Sequence, residues 1–170
     1  MLANLLNIDS LKKEIWLALE YVKDPEIPVI SVVDLGIITA VEINESGFVK
    51  VFMTPTFTAC PAINMMKDDI KKRVEKMEGV KNAEVIVDFS IQWNSNKISE
   101  KGKQLLKDFG LAPPKKHIGE INLDMVADAK CPFCNSSNTI MRSPFGGTLC
   151  RSSHYCNDCK QAFEQFKPLG

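Results

Sequence analysis

The stretch CPFCNSSNTIMRSPFGGTLCRSSHYCNDC, residues 131–159, carries two Cys-x2-Cys pairs separated by 21 residues. Two residues between cysteines let a tight turn present both sulfurs to one ion, and two such turns complete a tetrahedron. This spacing predicts a structural zinc ribbon, with iron as the alternative because tetrahedral sulfur coordination does not separate the two metals. The four predicted ligands are Cys131, Cys134, Cys156 and Cys159.

The segment around these cysteines needs a metal to fold. From Lys130 onward the sequence is rich in Cys, Gly, Ser, Asn and Phe and has few aliphatic residues. About 40 residues of this composition bury too little apolar surface to be stable alone. We expect Gly146-Gly147 to turn a hairpin, and four aromatic residues to supply a minimal core. These are Phe133, Phe145, Phe163 and Phe166.

Two other functions for paired cysteines are disfavoured. A thioredoxin-like redox motif is usually one Cys-x-x-Cys at a helix start beside a βαβ pattern, whereas here two pairs lie in a helix-poor tail. Residues 130–170 contain five basic and two acidic side chains. Four thiolates with zinc add a charge of −2, which leaves too little positive charge for a nucleic-acid ribbon. We therefore expect no nucleic-acid partner.

Cys150 and His154 lie just before the second cysteine pair, so six potential ligands compete for four positions. In one interpretation Cys150 is a small buried side chain and His154 is a surface or core histidine. In the other they form a second thiol site or exchange with the ligands. The sequence leaves both open.

The first half of the chain has the pattern of a small mixed domain. Apolar residues at steps of three and four predict an opening helix capped by Asp9 or Ser10. Residues 37–43, 48–54 and 83–89 are predicted strands, and a second helix is expected from Pro61 to Gly79. The opening helical face consists of Ile8, Leu11, Ile15, Leu19 and Val22.

These elements predict an α+β protein. Its first part, residues 1–92, is an αββαβ domain. Residues 93–129 form a helical connector, and residues 130–170 form the four-cysteine, zinc-ribbon-like domain.

Cys60 stands apart from the other five cysteines, between a loop over residues 55–59 and the start of the second predicted helix. A helix N-terminus carries partial positive charge, which favours the thiolate over the thiol and makes the sulfur a better nucleophile and metal ligand. An inert buried cysteine is the alternative. Asp34, flanked by apolar residues, is either a turn former or a partner for a buried group.

The overall charge and hydropathy exclude several classes of protein. Basic and acidic residues number 21 each, so a clustered polyanion-binding surface is not favoured by the totals. No apolar stretch approaches the ~20 residues that cross a bilayer. The start, MLANLLNIDS, lacks a basic region and a continuous apolar region. We therefore expect a cytoplasmic protein with no membrane partner.

Four segments resemble a known family. DPEIPVISVVDLG (24–36) with TPTFTACPA (54–62) resembles the small domain of iron-sulfur cluster assembly proteins. Together with the connector and the cysteine-rich tail, they resemble the D-subunit family of the phenylacetyl-CoA oxygenase (ring 1,2-epoxidase) system. The resemblance implies a non-enzymatic maturation or assembly factor of phenylacetate breakdown. It also implies that Cys60, with Asp34 in the acidic motif, handles transient iron or an iron-sulfur cluster.

The expected partners are protein subunits of the oxygenase system or their iron-sulfur component, with a homodimer as a further possibility. The chain has two histidines, neither three residues after a glutamate, so it lacks the ligands of a helical di-iron oxygenase. It also lacks a G-x-G-x-x-G fingerprint. The alternatives are a non-catalytic zinc-ribbon scaffold protein of the oxygenase complex and an enzyme that uses Cys60 as nucleophile.

Overall fold

A computed structural model describes the backbone of residues 2–57 and 60–170 and the side chains of residues 8–57 and 60–170. The chain forms two compact units, Met1–Ile91 and Gln92–Gly170. The segment 93–129, which we predicted to be a connector, lies within the second unit. Within the described ranges, no helix combines the length and apolar character needed to cross a bilayer.

The first unit has the predicted αββαβ order, which is confirmed. β1 and β2 form an antiparallel hairpin, and β3 pairs in parallel with β2 after the α2 crossover. Asn44 Oδ1 accepts hydrogen bonds from the N–H groups of Ser46 and Phe48, which closes the hairpin turn. The elements are α1 (Leu2–Leu19), β1 (Ile38–Ile43), β2 (Phe48–Met53), α2 (Ile63–Glu75) and β3 (Asn82–Val87).

The core of this unit follows from the two periodicities of its elements. Alternate residues of β2 and every third or fourth residue of α1 and α2 face inward. Because α1 begins at Leu2, the prediction of a cap at Asp9 or Ser10 is wrong: the Leu- and Ala-containing start is itself helix-forming. The core residues of these elements are Ile15, Leu19, Val49, Val51, Met53, Met66, Ile70 and Val74.

The second unit contains a four-stranded sheet of order β4-β7-β6-β5. β5, β6 and β7 pair antiparallel, and β4 adds to β7 in parallel. Side chains cap both helices, since Ser99 accepts from the Gly102 N–H and Asn122 from the Met125 N–H. The elements are a 3₁₀ turn (Ser95–Lys97), α3 (Glu100–Asp108), β4 (Leu111–Ala112), α4 (Leu123–Ala127), β5 (Thr139–Ser143), β6 (Arg151–Cys156) and β7 (Ala162–Phe166).

The core of the second unit differs from the prediction. Phe163 and Phe166 are buried, and Trp93 packs on Phe166 with a ring-centroid distance of 6.0 Å. Phe133 and Phe145, which we also expected in the core, are 56% and 67% exposed. Phe133 lies inside a tight cysteine turn, and the segment 93–129 supplies buried apolar groups in place of these two rings.

The expected turn at Gly146-Gly147 lies in the loop between β5 and β6, which pair antiparallel. A Cβ added at Gly146 would lie 2.9 Å from the Cβ of Arg151, so glycine permits this close approach. The Gly147 N–H donates to the Glu164 carboxylate on β7, which ties the loop to the sheet.

Candidate functional site

The structure brings the four cysteines of the two pairs together. Their sulfur atoms all lie within 4.8 Å of one another, and the Sγ–Sγ distances Cys131–Cys159 and Cys134–Cys156 are both 3.6 Å. A metal–sulfur bond of ~2.3 Å in a tetrahedron requires sulfur atoms about 3.8 Å apart, whereas a disulfide requires ~2.05 Å. The geometry therefore fits four thiolates around one tetrahedral metal ion.

The two cysteine turns share one backbone conformation. In the first turn the Asn135 N–H donates to the Cys131 carbonyl at 2.9 Å, and in the second the Lys160 N–H donates to the Cys156 carbonyl at 3.0 Å. Asn135 and Lys160 have φ values of 60° and 61°. The site is thus built from two equivalent turns, one before β5 and one between β6 and β7.

The thiols of the cluster hold their protons unequally. The backbone N–H of Cys159 hydrogen-bonds the Cys156 sulfur and lowers the pKa of Cys156 to about 7. Burial raises the pKa of Cys159 to about 12. A cysteine ligates a metal as the thiolate, so Cys159 would have to release its proton to serve as a ligand.

A polar network links the two turns and was not expected from the sequence. The Asp158 carboxylate accepts hydrogen bonds from the Ser136 hydroxyl and from the Asn138 amide, the latter at 2.7 Å. The Ser136 hydrogen bond lowers the pKa of Asp158 from its usual value. The Asn157 N–H also donates to the Asn138 carbonyl. The only sequence signal was the density of Ser, Asn and Asp near the cysteines.

His154 and Cys150 lie outside the four-sulfur cluster. His154 is fully buried on β6, stacks on Phe163 at a centroid distance of 5.3 Å, and places Nε2 2.8 Å from the Ser152 hydroxyl. Burial lowers the pKa of His154. His154 is therefore a core histidine, which was one of the two interpretations. The half-buried Cys150 places its sulfur 3.0 Å from the Thr148 hydroxyl.

Cys60 is half-buried and lies three residues before α2. Its carbonyl accepts a hydrogen bond from the Ile63 N–H at 3.3 Å, so its backbone is tied to the start of this helix. The helix begins at Ile63 and not at Pro61, because Pro61 and Ala62 form a turn. Thr58 and Ala59 of the predicted loop lie outside the described residues.

Asp34 is 5% exposed and forms a compact turn with Ser31. The Ser31 hydroxyl donates to Asp34 Oδ2 and accepts from the Asp34 N–H, both at 2.9 Å. Upstream, Asp24 Oδ1 accepts from the N–H groups of Glu26 and Ile27. Two buried carboxylates thus organise the loop between α1 and β1, and Asp34 is both a turn former and a partner for a buried group.

Two family models match separate parts of the chain. Residues 12–87 match the model described as an iron-sulfur cluster assembly protein. Residues 119–167 match the model described as the PaaD zinc beta ribbon domain. The second match contains all four clustered cysteines, and the first contains Asp34 and Cys60.

Individual proteins are similar to most of the chain or to its first half. The putative D subunit of the 1,2-phenylacetyl-CoA epoxidase of Escherichia coli K12 is 31% identical over 154 residues, which cover 91% of each chain. An Fe-S protein maturation auxiliary factor of Porphyromonas gingivalis is 40% identical over 89 residues, 52% of this chain and 84% of that protein.

A solved structure shares the fold of the first half. The crystal structure of a domain of unknown function, DUF59, from Bacillus anthracis has a TM-score of 0.56 and 26% identity. The match covers 59% of this chain and 95% of that chain.

Proposed function

This chain belongs to the D-subunit family of the 1,2-phenylacetyl-CoA epoxidase, and we propose that it is a maturation factor which handles iron or an iron-sulfur cluster through Cys60. Two features support the proposal: a domain matching iron-sulfur cluster assembly proteins and a similarity to a protein named as an Fe-S maturation auxiliary factor. The observation that carries it is a half-buried thiol just before α2 in that domain.

The position of Cys60 suits transient metal binding. The start of a helix presents N–H groups without helical partners and a partial positive charge, and both favour a thiolate. A thiolate is a preferred ligand for iron-sulfur cargo. One sulfur leaves the remaining coordination positions of the cargo open, so a partner protein or a second copy of the chain completes them and takes the cargo on transfer.

Asp34 is proposed as the second residue of this site. The Ser31 hydrogen bonds fix its carboxylate within a compact turn. Such a fixed carboxylate can accept a hydrogen bond or ligate iron without first losing side-chain freedom.

The four clustered cysteines are proposed to hold one zinc ion, with iron as the alternative metal. Four sulfur donors that lie within 4.8 Å of one another, with two of the pairs at 3.6 Å, fit either ion. Bound there, the metal supplies folding free energy to a unit whose two exposed phenylalanines contribute little to its core. The four clustered cysteines therefore have a structural role, whereas Cys60 binds the cargo during transfer.

The cargo's destination is proposed to be the phenylacetyl-CoA oxygenase system, through one of its protein subunits or its iron-sulfur component. An accessory and non-enzymatic role is supported by the names of the related maturation factors. Thiolate chemistry of this kind requires reduced cysteines, so we place the protein in the cytoplasm.

A second candidate function is favoured by Phe133 and Phe145, which are more than half exposed on the second unit. Exposed aromatic residues are common at protein interfaces. In this alternative the chain is a zinc-ribbon scaffold that holds oxygenase components together, and Cys60 has no part in it.

Anaerobic reconstitution with iron and sulfide separates the two functions. We expect the wild type to acquire iron beyond the ribbon metal and Cys60→Ser to acquire only the ribbon metal. Cys150→Ser, a change at a second half-buried cysteine, is the control and should load like the wild type. If Cys60→Ser binds as much iron and sulfide as the wild type, Cys60 does not carry the cargo.

A further inference from the structure

An open cleft of about 210 Å³ lies on the second unit beside the first cysteine turn. Its volume corresponds to about seven water molecules at ~30 Å³ each, enough for one or two side chains of a ligand. Three proline rings and three lysines line most of it, and we call it the lysine cleft. These residues are Lys107, Pro113, Pro114, Lys115, Lys130 and Pro132.

The lining of the lysine cleft selects for negatively charged ligands. The prolines have no N–H, and an ammonium group has three donors and no acceptor. Apart from the metal-ligand candidate Cys131, the charged side chains that line the cleft are therefore cationic donors, and Asn135 completes the lining. Polar atoms of a ligand that contact the lysines must act as acceptors, and a carboxylate is the acceptor that also neutralises their charge.

Two of the three lysines lack a compensating acid. Lys115 forms an ion pair with Asp128. In the part of the chain that the structure describes, neither Lys107 nor Lys130 makes an ion pair. Lys107 lies in the last turn of α3, where a positive charge complements the helix dipole. Lys130 is exposed and lies outside the helices, so a helix dipole does not compensate its charge.

The net charge of the second unit also favours a negatively charged ligand. Residues 92–170 contain 11 basic and 7 acidic side chains, a formal charge of +4 that falls to +2 when the four thiolates with zinc are counted, whereas residues 1–91 contain 10 basic and 14 acidic ones. An acidic partner would therefore be attracted to the second unit before contact.

The surface around the cleft is larger than the binding site of a single small ion. A neighbouring cleft of about 140 Å³ shares Lys115 and is also lined by Lys116, His117 and Asp128, and Lys116 forms an ion pair with Glu100. Phe133, beside the cleft-lining Pro132, and Phe109 are 56% and 47% exposed. Basic groups along two adjoining clefts, with the exposed Phe133 next to Pro132, match an extended chain that carries both carboxylates and apolar side chains.

We propose that the lysine cleft binds an extended acidic segment of a partner protein. Carboxylates of the segment pair with Lys107 and Lys130, and its apolar side chains pack against the proline rings. Because proline backbones are already restricted, binding orders little of the cleft itself. The proposal rests on the proposed function and deepens it by defining the chemistry of the ribbon's partner.

Fluorescence anisotropy on the metal-loaded full chain tests the proposal, with a fluorescein-labelled hexapeptide of sequence Glu-Phe-Glu-Glu-Phe-Glu as the probe. The double variant Lys107→Gln/Lys130→Gln should weaken binding by about tenfold. The control Lys12→Gln/Lys13→Gln removes the same charge from exposed positions of α1 and should leave the affinity unchanged. The matching Gln-Phe-Gln-Gln-Phe-Gln peptide should not bind.

Three results would overturn the proposal: no binding of the acidic peptide by the wild type, equal weakening by both double variants, or tighter binding of a single-stranded oligonucleotide through Lys107 and Lys130. The last result would indicate a nucleic-acid surface. Iron and sulfide loading is measured on the same variants. Since loading depends on Cys60, the cleft and the maturation function can fail independently.

Discussion

Asn135 and Lys160 occupy equivalent positions, each one residue after the second cysteine of its pair, with backbone φ values of 60° and 61°. The N–H of each donates to the carbonyl of the first cysteine of the same pair. The left-handed region is accessible to Asn at modest cost but is strained for Lys. The two turns have the same backbone conformation, and the backbone of the second turn is therefore more strained than that of the first.

We predict opposite effects of two substitutions at Lys160. Lys160→Gly should leave the free energy of unfolding unchanged or raise it by up to about 1 kcal/mol, because glycine adopts positive φ without strain. Lys160→Val should lower it by about 1–3 kcal/mol. Denaturant unfolding of the metal-loaded protein measures the free energy of unfolding of both variants. Lys130→Val, the same exchange at another lysine, is the control. Equal stability of the Gly and Val variants would contradict the assigned backbone conformation.

Removal of one ligand should unfold the ribbon and spare the first unit. We predict that Cys131→Ser or Cys159→Ser abolishes stoichiometric metal in the tail and makes residues 131–166 sensitive to protease, because metal binding supplies the folding free energy. Limited proteolysis with mass spectrometry and metal analysis checks this. A quadruple cysteine variant that still binds one zinc ion tightly would refute the ribbon site.

Metal affinity at this site should fall as the pH falls. At pH 8, a metal that binds displaces a proton from Cys159, whose pKa is raised to about 12 by burial. Below pH 7, Cys156 is also protonated, since its pKa is about 7. The plot of log affinity against pH should therefore steepen by about one proton below pH 7. Chelator competition from pH 6 to 9 measures the slope, and a pH-independent affinity would contradict thiolate ligation.

Cys60 should be the more reactive of the cysteines outside the metal site. Because it is half-buried and precedes α2, iodoacetamide should alkylate it at neutral pH faster than a model cysteine peptide. The four clustered cysteines of the metal-loaded protein should be protected. Peptide mass spectrometry across a pH series gives each rate. Labelling of Cys60 only above pH 9, or only after unfolding, would indicate an inert thiol.

Much of the fold could be predicted because its signals are local. The strand signals at 37–43, 48–54 and 83–89 fall on β1, β2 and β3, since branched and aromatic residues recur there between turn signals. The spacing of the cysteines likewise encodes two turns that converge on one ion. The helix boundaries shifted because leucine-rich flanks extend α1 and a turn at Pro61 delays α2.

Long-range pairing could not be predicted in the same way. β4 is two residues long and pairs with β7, more than 50 positions away. No local periodicity identifies such a short strand, so sequence patterns offer no reason to join 93–129 to the sheet. With that segment contributing Trp93 to the core, Phe133 and Phe145 are left exposed.

The candidate site shows the same division between local and distant features. The Asp34 turn depends on Ser31, three residues away, and is accessible to sequence reasoning. The burial of His154 depends on stacking with Phe163 across two strands, which the sequence could not specify. The bridge between Ser136 and Asp158 likewise requires both cysteine turns to be in place.

The most direct test of the central claim is activation of the oxygenase system that we propose as the partner, in a strain that lacks the native copy of this protein. A Cys→Ser exchange changes little volume, so Cys60→Ser should fold and retain its ribbon metal, as thermal unfolding and metal analysis would verify. We predict that Cys60→Ser fails to support activation, whereas Cys150→Ser supports it like the wild type. Full activation by Cys60→Ser would contradict cargo handling by this thiol and leave the zinc-ribbon scaffold as the function.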